Sequence, residues 1–387
     1  MYIWQQQAWP MFESDARLVD SRLAEVLVLQ QQLLGRAAVL PEGLDTQAEL
    51  DALVQSAIKS SEIEGESLNV GSVRSSVARQ LGLEQAGLPK AARYEDSVVE
   101  MLVSAVSELE KPLTSKLLCQ WQAALFPEPP LLRAMAIGSF RDDADGPMQV
   151  VSQRRGQTEV HFEAPPAKQL SKELTAFYTV YNCASAEQHG ILRAAIAHLH
   201  FISIHPFDDG NGRVARALTD RALAQCENTS IRFYSLSAAI EKNKSTYYQL
   251  LEETQNCRNK RQRQQPLDVT EWLLWFLDTL AQAIEDGLLR VERVLLKARF
   301  WQRHAQTLLS ERQLKVLNRL LDAYGLEFVD GLAARHYQAI GGVSKATATR
   351  DLADLVQKGC LQALDGGGRS AKYRIHQDKA GLTKWPV

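Results

Sequence analysis

Long apolar runs are missing from this 387-residue chain. No stretch approaches the roughly 20 residues that a membrane-spanning helix needs, which excludes an integral helical membrane protein. The opening residues, MYIWQQQAWP, lack the basic start, apolar stretch and small-residue cleavage site of a secretory signal, so a cytoplasmic location is expected. Cysteine is sparse and badly spaced for chemistry. Cys119, Cys183, Cys226, Cys257 and Cys360 are odd in number, widely scattered and form no C-x-x-C pair, which argues against zinc or redox work and leaves buried free thiols. Neither charge dominates: 44 Lys and Arg against 46 Asp and Glu exclude a general polyanion binder. No internal repeat or low-complexity tract is present, and no G-x-x-x-x-G-K-[ST] sequence, so a P-loop is excluded. With 45% hydrophobic and 23% charged residues, what remains is an ordinary globular chain long enough for two or three domains.

The near-neutral total hides an asymmetry. Residues 301–387 hold 13 Lys/Arg and 8 Asp/Glu, an excess of five positive charges, so only this part suits an encounter with nucleic acid.

Helical periodicity dominates, and the fold class is expected to be mainly α. Apolar residues at three- and four-residue steps predict helices over 18–36, 51–63, 91–109, 114–125, 166–182 and 190–204. Residues 148–162 break the habit, with β-rich runs around a polar turn at Arg155 and Gly156, and predict a β-hairpin. The amide- and charge-rich run 255–266 reads as a loop before a helix carrying Trp272, Trp275 and Phe276. Further on, helices over 311–324, 331–339 and 344–358 precede two short strands around Gly366, Gly367 and Gly368. That is the order of a winged helix-turn-helix. Three domains follow: a helical one over 1–110, a core over 111–290 with the hairpin at 148–162, and 291–387 with a linker helix and the winged helix.

The chemistry concentrates in residues 205–216, HPFDDGNGRVAR. Gly210 and Gly212 permit the backbone angles and close approach that amide groups need to surround an anion. The helix starting near Arg213 aims its free N–H groups and positive dipole end at the same place, which makes a phosphate cradle. Arg213 and Arg216, three residues apart, share a face and can bring two guanidinium forks to a phosphate chain. Asp209 is a hard oxygen ligand suited to a Mg²⁺ that bridges phosphates. His205 titrates near neutrality and can remove a proton from a hydroxyl. Each residue taken singly is more often structural; the whole array is not explained that way. Its likeness to a dinucleotide fingerprint fails because the preceding segment is helical, not a strand. Phe207 reads as a core anchor for the loop. His198 and His200, two residues apart, point to different faces and are assigned to packing.

The twelve residues match HPFx[D/E]GNGRxxR, and on them the chain resembles the Fic (filamentation induced by cAMP) family. The resemblance implies a Fic helical core with a β-hairpin flap and transfer of a nucleoside monophosphate, usually AMP from ATP with Mg²⁺, to a protein hydroxyl. Carried over by position, His205 is the general base and Asp209 holds the metal. Gly210, Asn211, Gly212, Arg213, Val214, Ala215 and Arg216 bind the nucleotide, with Arg213 on the phosphates and Arg216 gripping the γ-phosphate. The flap aligns the target's backbone by strand addition. Tyr248 falls where similar proteins contact the base. Upstream, Ser60-Ser61-Glu62-Ile63-Glu64-Gly65 resembles the inhibitory motif [S/T]xxxE[G/N], which implies that Glu64 pairs with Arg216, that Ser60 supports the geometry, and that resting activity is low. The resemblance also implies a bacterial protein and admits a homodimer.

A second class of function stays open: a transcription regulator whose core only senses nucleotide. Ser344, Lys345, Thr347, Thr349 and Arg350 would face the major groove of duplex DNA, and 369–372 would form the wing. Transfer of another nucleotide, or removal of AMP from a modified target, is also open.

Overall fold

The computed structural model describes residues 1–41, 43–83, 90–128, 135–154, 157–183, 189–256, 266–324, 327–364 and 371–376. The expected turn at Arg155 and Gly156, the loop residues 257–265 with Cys257, the glycines 366–368 and Arg369 lie outside them. Two compact units are present, Met1–Leu288 and Leu289–Val387. No helix among the described residues is long and apolar enough to cross a membrane.

The first unit opens with β1 (Phe12–Glu13), which pairs in parallel with a later strand, and α1 (Ala16–Ala37). The Asp15 carboxylate caps α1 by accepting from the Arg17 and Leu18 N–H groups. Next come α2 (Leu44–Ile63), α3 (Val70–Gln80), α4 (Arg93–Val106) and α5 (Ser115–Ala124). The helix expected to begin at residue 51 starts seven residues earlier, because Gly43 adopts a left-handed φ of +85° and turns the chain into it. The hairpin is β2 (Gln149–Arg154) against β3 (Gln157–Glu163), antiparallel. After a short 3₁₀ turn at Ala167–Gln169 come α6 (Leu170–Asn182), α7 (Gly190–Ile204), α8 (Asn211–Glu227), α9 (Leu236–Lys242), α10 (Lys244–Gln255), β4 (Leu267–Asp268) and, as far as Leu288, α11 (Thr270–Arg303). Helix α6 therefore begins four residues later than periodicity indicated, since Pro166 has ψ 144° and Ala167–Gln169 wind as the 3₁₀ turn.

Helices α7 and α8 are buried nearly all round, and form the central pair on which α4, α5 and α6 pack. The N-terminal segment closes over the base of the hairpin. Trp4 Nε1 donates to the Glu163 carbonyl at 2.6 Å, and Ile3, Ala8, Phe162, Ala164 and Leu267 form one apolar cluster.

In the second unit, α12 (Glu311–Asp322), β5 (Leu332–Ala333), α13 (Ala334–Gly341) and α14 (Lys345–Gln357) precede β6 (Leu361–Ala363) and β7 (Lys372–Ile375). The helix expected over 331–339 is corrected: its first residues are a strand. Gly331 sits at φ +100°, and a Cβ there would lie 2.8 Å from Leu364 Cδ1 and 3.1 Å from the Tyr373 carbonyl, so the chain enters this region as a strand against β7. The sheet has three strands in the order β5-β7-β6 rather than two. Its core gathers Val316, Leu320, Tyr337, Leu352, Leu355 and Ile375.

Candidate functional site

Helix α7 ends at His205, which takes a left-handed φ of +50°. That conformation costs a non-glycine residue about 1–2 kcal/mol, so its neighbours must hold it. Arg141 does much of this. Its Nε donates to the His205 carbonyl at 2.8 Å, its Nη2 to the Pro165 carbonyl at 2.5 Å, and its backbone N–H to the Pro206 carbonyl at 3.1 Å. Phe207 is fully buried beside Phe140. Asn211 closes the loop from the other end, accepting from the Phe207 N–H at 3.0 Å and donating to the Phe207 carbonyl at 2.7 Å.

The half-buried His205 ring points its Nδ1 at the Ile202 carbonyl, 3.1 Å away. A carbonyl only accepts, so Nδ1 carries the proton and Nε2 keeps a lone pair. Burial lowers the pKa of His205 to about 4, with Arg141 adding to the effect, so the ring is neutral at physiological pH.

Gly210, with φ +88°, precedes the first residue of α8 as its N-cap. A Cβ on Gly210 would meet Leu125 Cδ1 at 2.9 Å, and one on Gly212 would meet Glu64 Oε1 at 2.2 Å. The Glu64 carboxylate thus lies against the first turn of α8, where free N–H groups and the dipole favour an anion. It reaches that place from the end of α2. Gly65, at φ +84°, lets the Glu66 N–H bond back to the Ser61 carbonyl and the Gly65 N–H to the Glu62 carbonyl, a Schellman turn. Arg216 is buried; its Nη1 lies 2.9 Å from Glu64 Oε1, a charge contact without the alignment of a hydrogen bond. Its Nε donates to Ser60 Oγ at 2.9 Å and its Nη2 to the Ser60 carbonyl at 2.7 Å. Val214 and Ala215 are fully buried in the helix packing.

Asp209 is exposed; its Oδ1 accepts from the Gly210 N–H at 2.6 Å and lies 3.9 Å from Arg213 Nη2. Among the described residues no group of three or more His, Cys, Asp or Glu side chains could enclose a metal. One exposed carboxylate beside a phosphate cradle fits Mg²⁺, which keeps water and phosphate ligands and needs few protein oxygens. A cleft of about 680 Å³ joins these groups, lined among others by Glu64, His205, Asp209, Gly212 and Tyr248. Tyr248 is 41% exposed, and its O–H donates to the Ile63 carbonyl at 3.1 Å. Its hydroxyl therefore holds the end of α2.

Residues 112–223 match the Fic/DOC family, and residues 2–83 match a family described as Domain of unknown function (DUF4172). The chain thus resembles Fic/DOC proteins over residues 112–223. It is similar to Protein adenylyltransferase Fic of Nematostella vectensis, 38% identical over 79 residues, a match spanning 20% of this chain and 18% of that protein's length. Two solved structures share the fold. A Fic family protein from Desulfovibrio desulfuricans G20 is 16% identical with a TM-score of 0.52, over 97% of this chain and 100% of its own. A Fic domain containing signaling protein from Bacteroides thetaiotaomicron is 18% identical with a TM-score of 0.50, over 72% of this chain and 96% of its own.

The cleft brings together His205, Asp209, the α8 turn, Glu64 and Tyr248, residues chosen from sequence alone. It also uses residues that sequence reasoning passed over. Arg141 is one. Glu66 and Tyr94 are two more: Arg213 Nη1 donates to Glu66 Oε2 at 2.7 Å and lies 2.9 Å from the Tyr94 hydroxyl, while Phe126 lies under the guanidinium at 5.3 Å. The signal for Glu66 was present, two residues beyond Glu64 in a turn that projects both.

Proposed function

We propose that the protein transfers AMP from ATP to a Ser, Thr or Tyr hydroxyl of another protein, and that Glu64 restrains it. The observation that carries this reading is the Glu64 carboxylate against Gly212, 2.9 Å from Arg216. It stands where a phosphate anion would be received, on the arginine that the motif assigns to the γ-phosphate. The named relative, a protein adenylyltransferase, supports AMP as the group transferred.

In this mechanism His205 Nε2 takes the proton of the incoming hydroxyl, because Nδ1 is committed to the Ile202 carbonyl. The hydroxyl oxygen attacks the α-phosphorus and pyrophosphate leaves. The amides at the start of α8, with Arg213 and Arg216, stabilise the charge that develops. Mg²⁺ held by Asp209 together with the phosphates would supply further neutralisation. The edge of the β2–β3 hairpin, with Val150, Val151 and Val160 exposed, receives the target's backbone. While Glu64 holds Arg216 the triphosphate is not seated for in-line attack, and resting activity is low. The three-domain division at residues 110 and 290 and a cytoplasmic site of action belong to the same reading.

The test is incorporation of α-labelled ATP, with Mg²⁺, into proteins of a cell lysate. Label on lysate proteins appears with Glu64→Gly and vanishes with Glu64→Gly/His205→Ala. No label with Glu64→Gly would sink the proposal.

A second reading concerns the second unit, whose α12–α14 and sheet order support a winged helix. Ser344, Lys345, Thr349 and Arg350 are exposed at the start of α14, suited to duplex DNA. Full-length protein should then shift duplex DNA with an affinity that falls steeply as salt rises. No shift at low salt removes DNA binding.

A further inference from the structure

The hairpin is irregular. Val150 pairs with Phe162 and Val151 with Val160, so His161 has no partner across the ladder. A bulge of this kind re-aims a side chain out of the strand's alternation. Through it the His161 ring reaches two groups: Nε2 lies 2.7 Å from Ser152 Oγ on the facing strand, and Nδ1 lies 3.0 Å from Glu252 Oε2 on α10. Asn256 Nδ2 donates to the His161 carbonyl at 2.9 Å and steadies the bulge. Ser152, His161 and Glu252 line the cleft that holds His205 and Asp209.

The direction of the hydrogen bonds follows from chemistry. An ionised carboxylate only accepts, so Nδ1 carries the imidazole proton toward Glu252. In the neutral ring Nε2 is then the acceptor, and the Ser152 hydroxyl donates to it. Nucleophile, base and orienting carboxylate stand in the order that activates a serine. A latch between hairpin and α10 would need only His161 and Glu252. Ser152 adds nothing to such a latch, because it belongs to the same hairpin as His161.

We propose that Ser152, His161 and Glu252 form an activated-serine relay, and that Ser152 is the chain's own acceptor of the nucleotidyl group. For the donor this rests on the transfer activity proposed above. Ser152 Oγ forms a bond to the α-phosphorus of a nucleoside triphosphate, and the bond from that phosphorus to the oxygen bridging the β-phosphate breaks. Pyrophosphate leaves with the electron pair, and the hydroxyl proton passes to His161 Nε2. The imidazolium is stabilised by Glu252, which acts as a positioning residue.

The experiment treats full-length Glu64→Gly protein in parallel with a fluorophosphonate and with ATP and Mg²⁺, and maps adducts by peptide mass spectrometry. The fluorophosphonate needs only an activated serine, since Oγ displaces fluoride from phosphorus without any nucleotide. Both reagents are expected to modify Ser152, and the nucleotidyl adduct there persists in Glu64→Gly/His205→Ala, since His161 supplies the base. His161→Gln can still accept from Ser152 and donate to Glu252 but cannot take the proton, so labelling falls about 10²-fold or more with the hairpin still tethered. Glu252→Gln removes the charge that favours the imidazolium, so the pH at which fluorophosphonate labelling is half-maximal moves down. A latch would leave it unmoved. A Ser152 untouched by the fluorophosphonate overturns the relay, and nucleotidyl adducts confined to other hydroxyls overturn the self-acceptor. A fluorophosphonate adduct on Ser152 with no nucleotidyl adduct on any residue upholds the relay and counts against the transfer activity instead.

Discussion

Arg213 donates to Glu66 at 2.7 Å, two residues past the Glu64 that faces Arg216 at 2.9 Å. One Schellman turn at the end of α2 thus holds both arginines of the first turns of α8. Releasing Glu64 alone leaves Arg213 engaged by Glu66 and Tyr94. Glu64→Gly/Glu66→Ala should label lysate proteins faster than Glu64→Gly, and Glu66→Ala alone should exceed wild type by less than Glu64→Gly does. Glu66 is 39% exposed, which screens the pair and limits the expected gain to about tenfold. Equal rates for the double and single variants would assign Glu66 to stability alone.

Transfer should be insensitive to the titration of His205 across the neutral range. Burial has already lowered that group to about 4 from 6.5, so its neutral, proton-accepting form predominates above that value. The acid limb of the Glu64→Gly rate profile should lie at or below about pH 4, since Glu64 is one of the groups raising the value. A limb centred near 6.5 in the initial rates would contradict the assignment of His205 as the base.

Asn211→Ala should destabilise the protein by about 2–4 kcal/mol, because it leaves the buried Phe207 N–H and carbonyl unpaired. Asn211→Asp retains the acceptor and loses the donor, and should fall between. Urea denaturation of the three proteins checks the order.

Glu49, inside α2, has its carboxyl raised to about 7, first by burial and then by Asp45. A folded pKa above the unfolded one contributes stability that is fully present at low pH and is lost as pH rises through about 7. Glu49→Gln removes that loss. The variant should match wild type at about pH 4, below the ordinary carboxyl value of 4.5, and exceed it by on the order of 1–3 kcal/mol at pH 8, read from denaturation midpoints. An equal difference at both pH values would place the carboxyl's titration elsewhere.

Local signals in the sequence were enough for much of the fold. The expected helix over 190–204 coincides with α7, because apolar residues run through it and the turn residues around it are unambiguous. The end of α2 at Ile63 was legible from the Glu-Gly pair that follows. Helix α3 was not anticipated, since its buried face is built from Ser72, Ser76 and Ala78 beside only Val73 and Val77, a stripe too polar to stand out. Strand β5 was absorbed into a helix because two residues carry no periodicity of their own; only the approach of Gly331 to β7 reveals it.

By itself the sequence determined the α7–loop–α8 core, the glycines and arginines at the start of α8, and the histidine that precedes them. These rest on turn geometry, capping and helical spacing, which act over a few residues. The tertiary structure decided the rest: which carboxylate meets which arginine across 147 residues of chain, that Arg141 clamps the loop, and that a bulge sets His161 between Ser152 and Glu252. Such contacts depend on where packed helices and strands come to lie. That placement follows from burial of their apolar faces, and no local pattern encodes it.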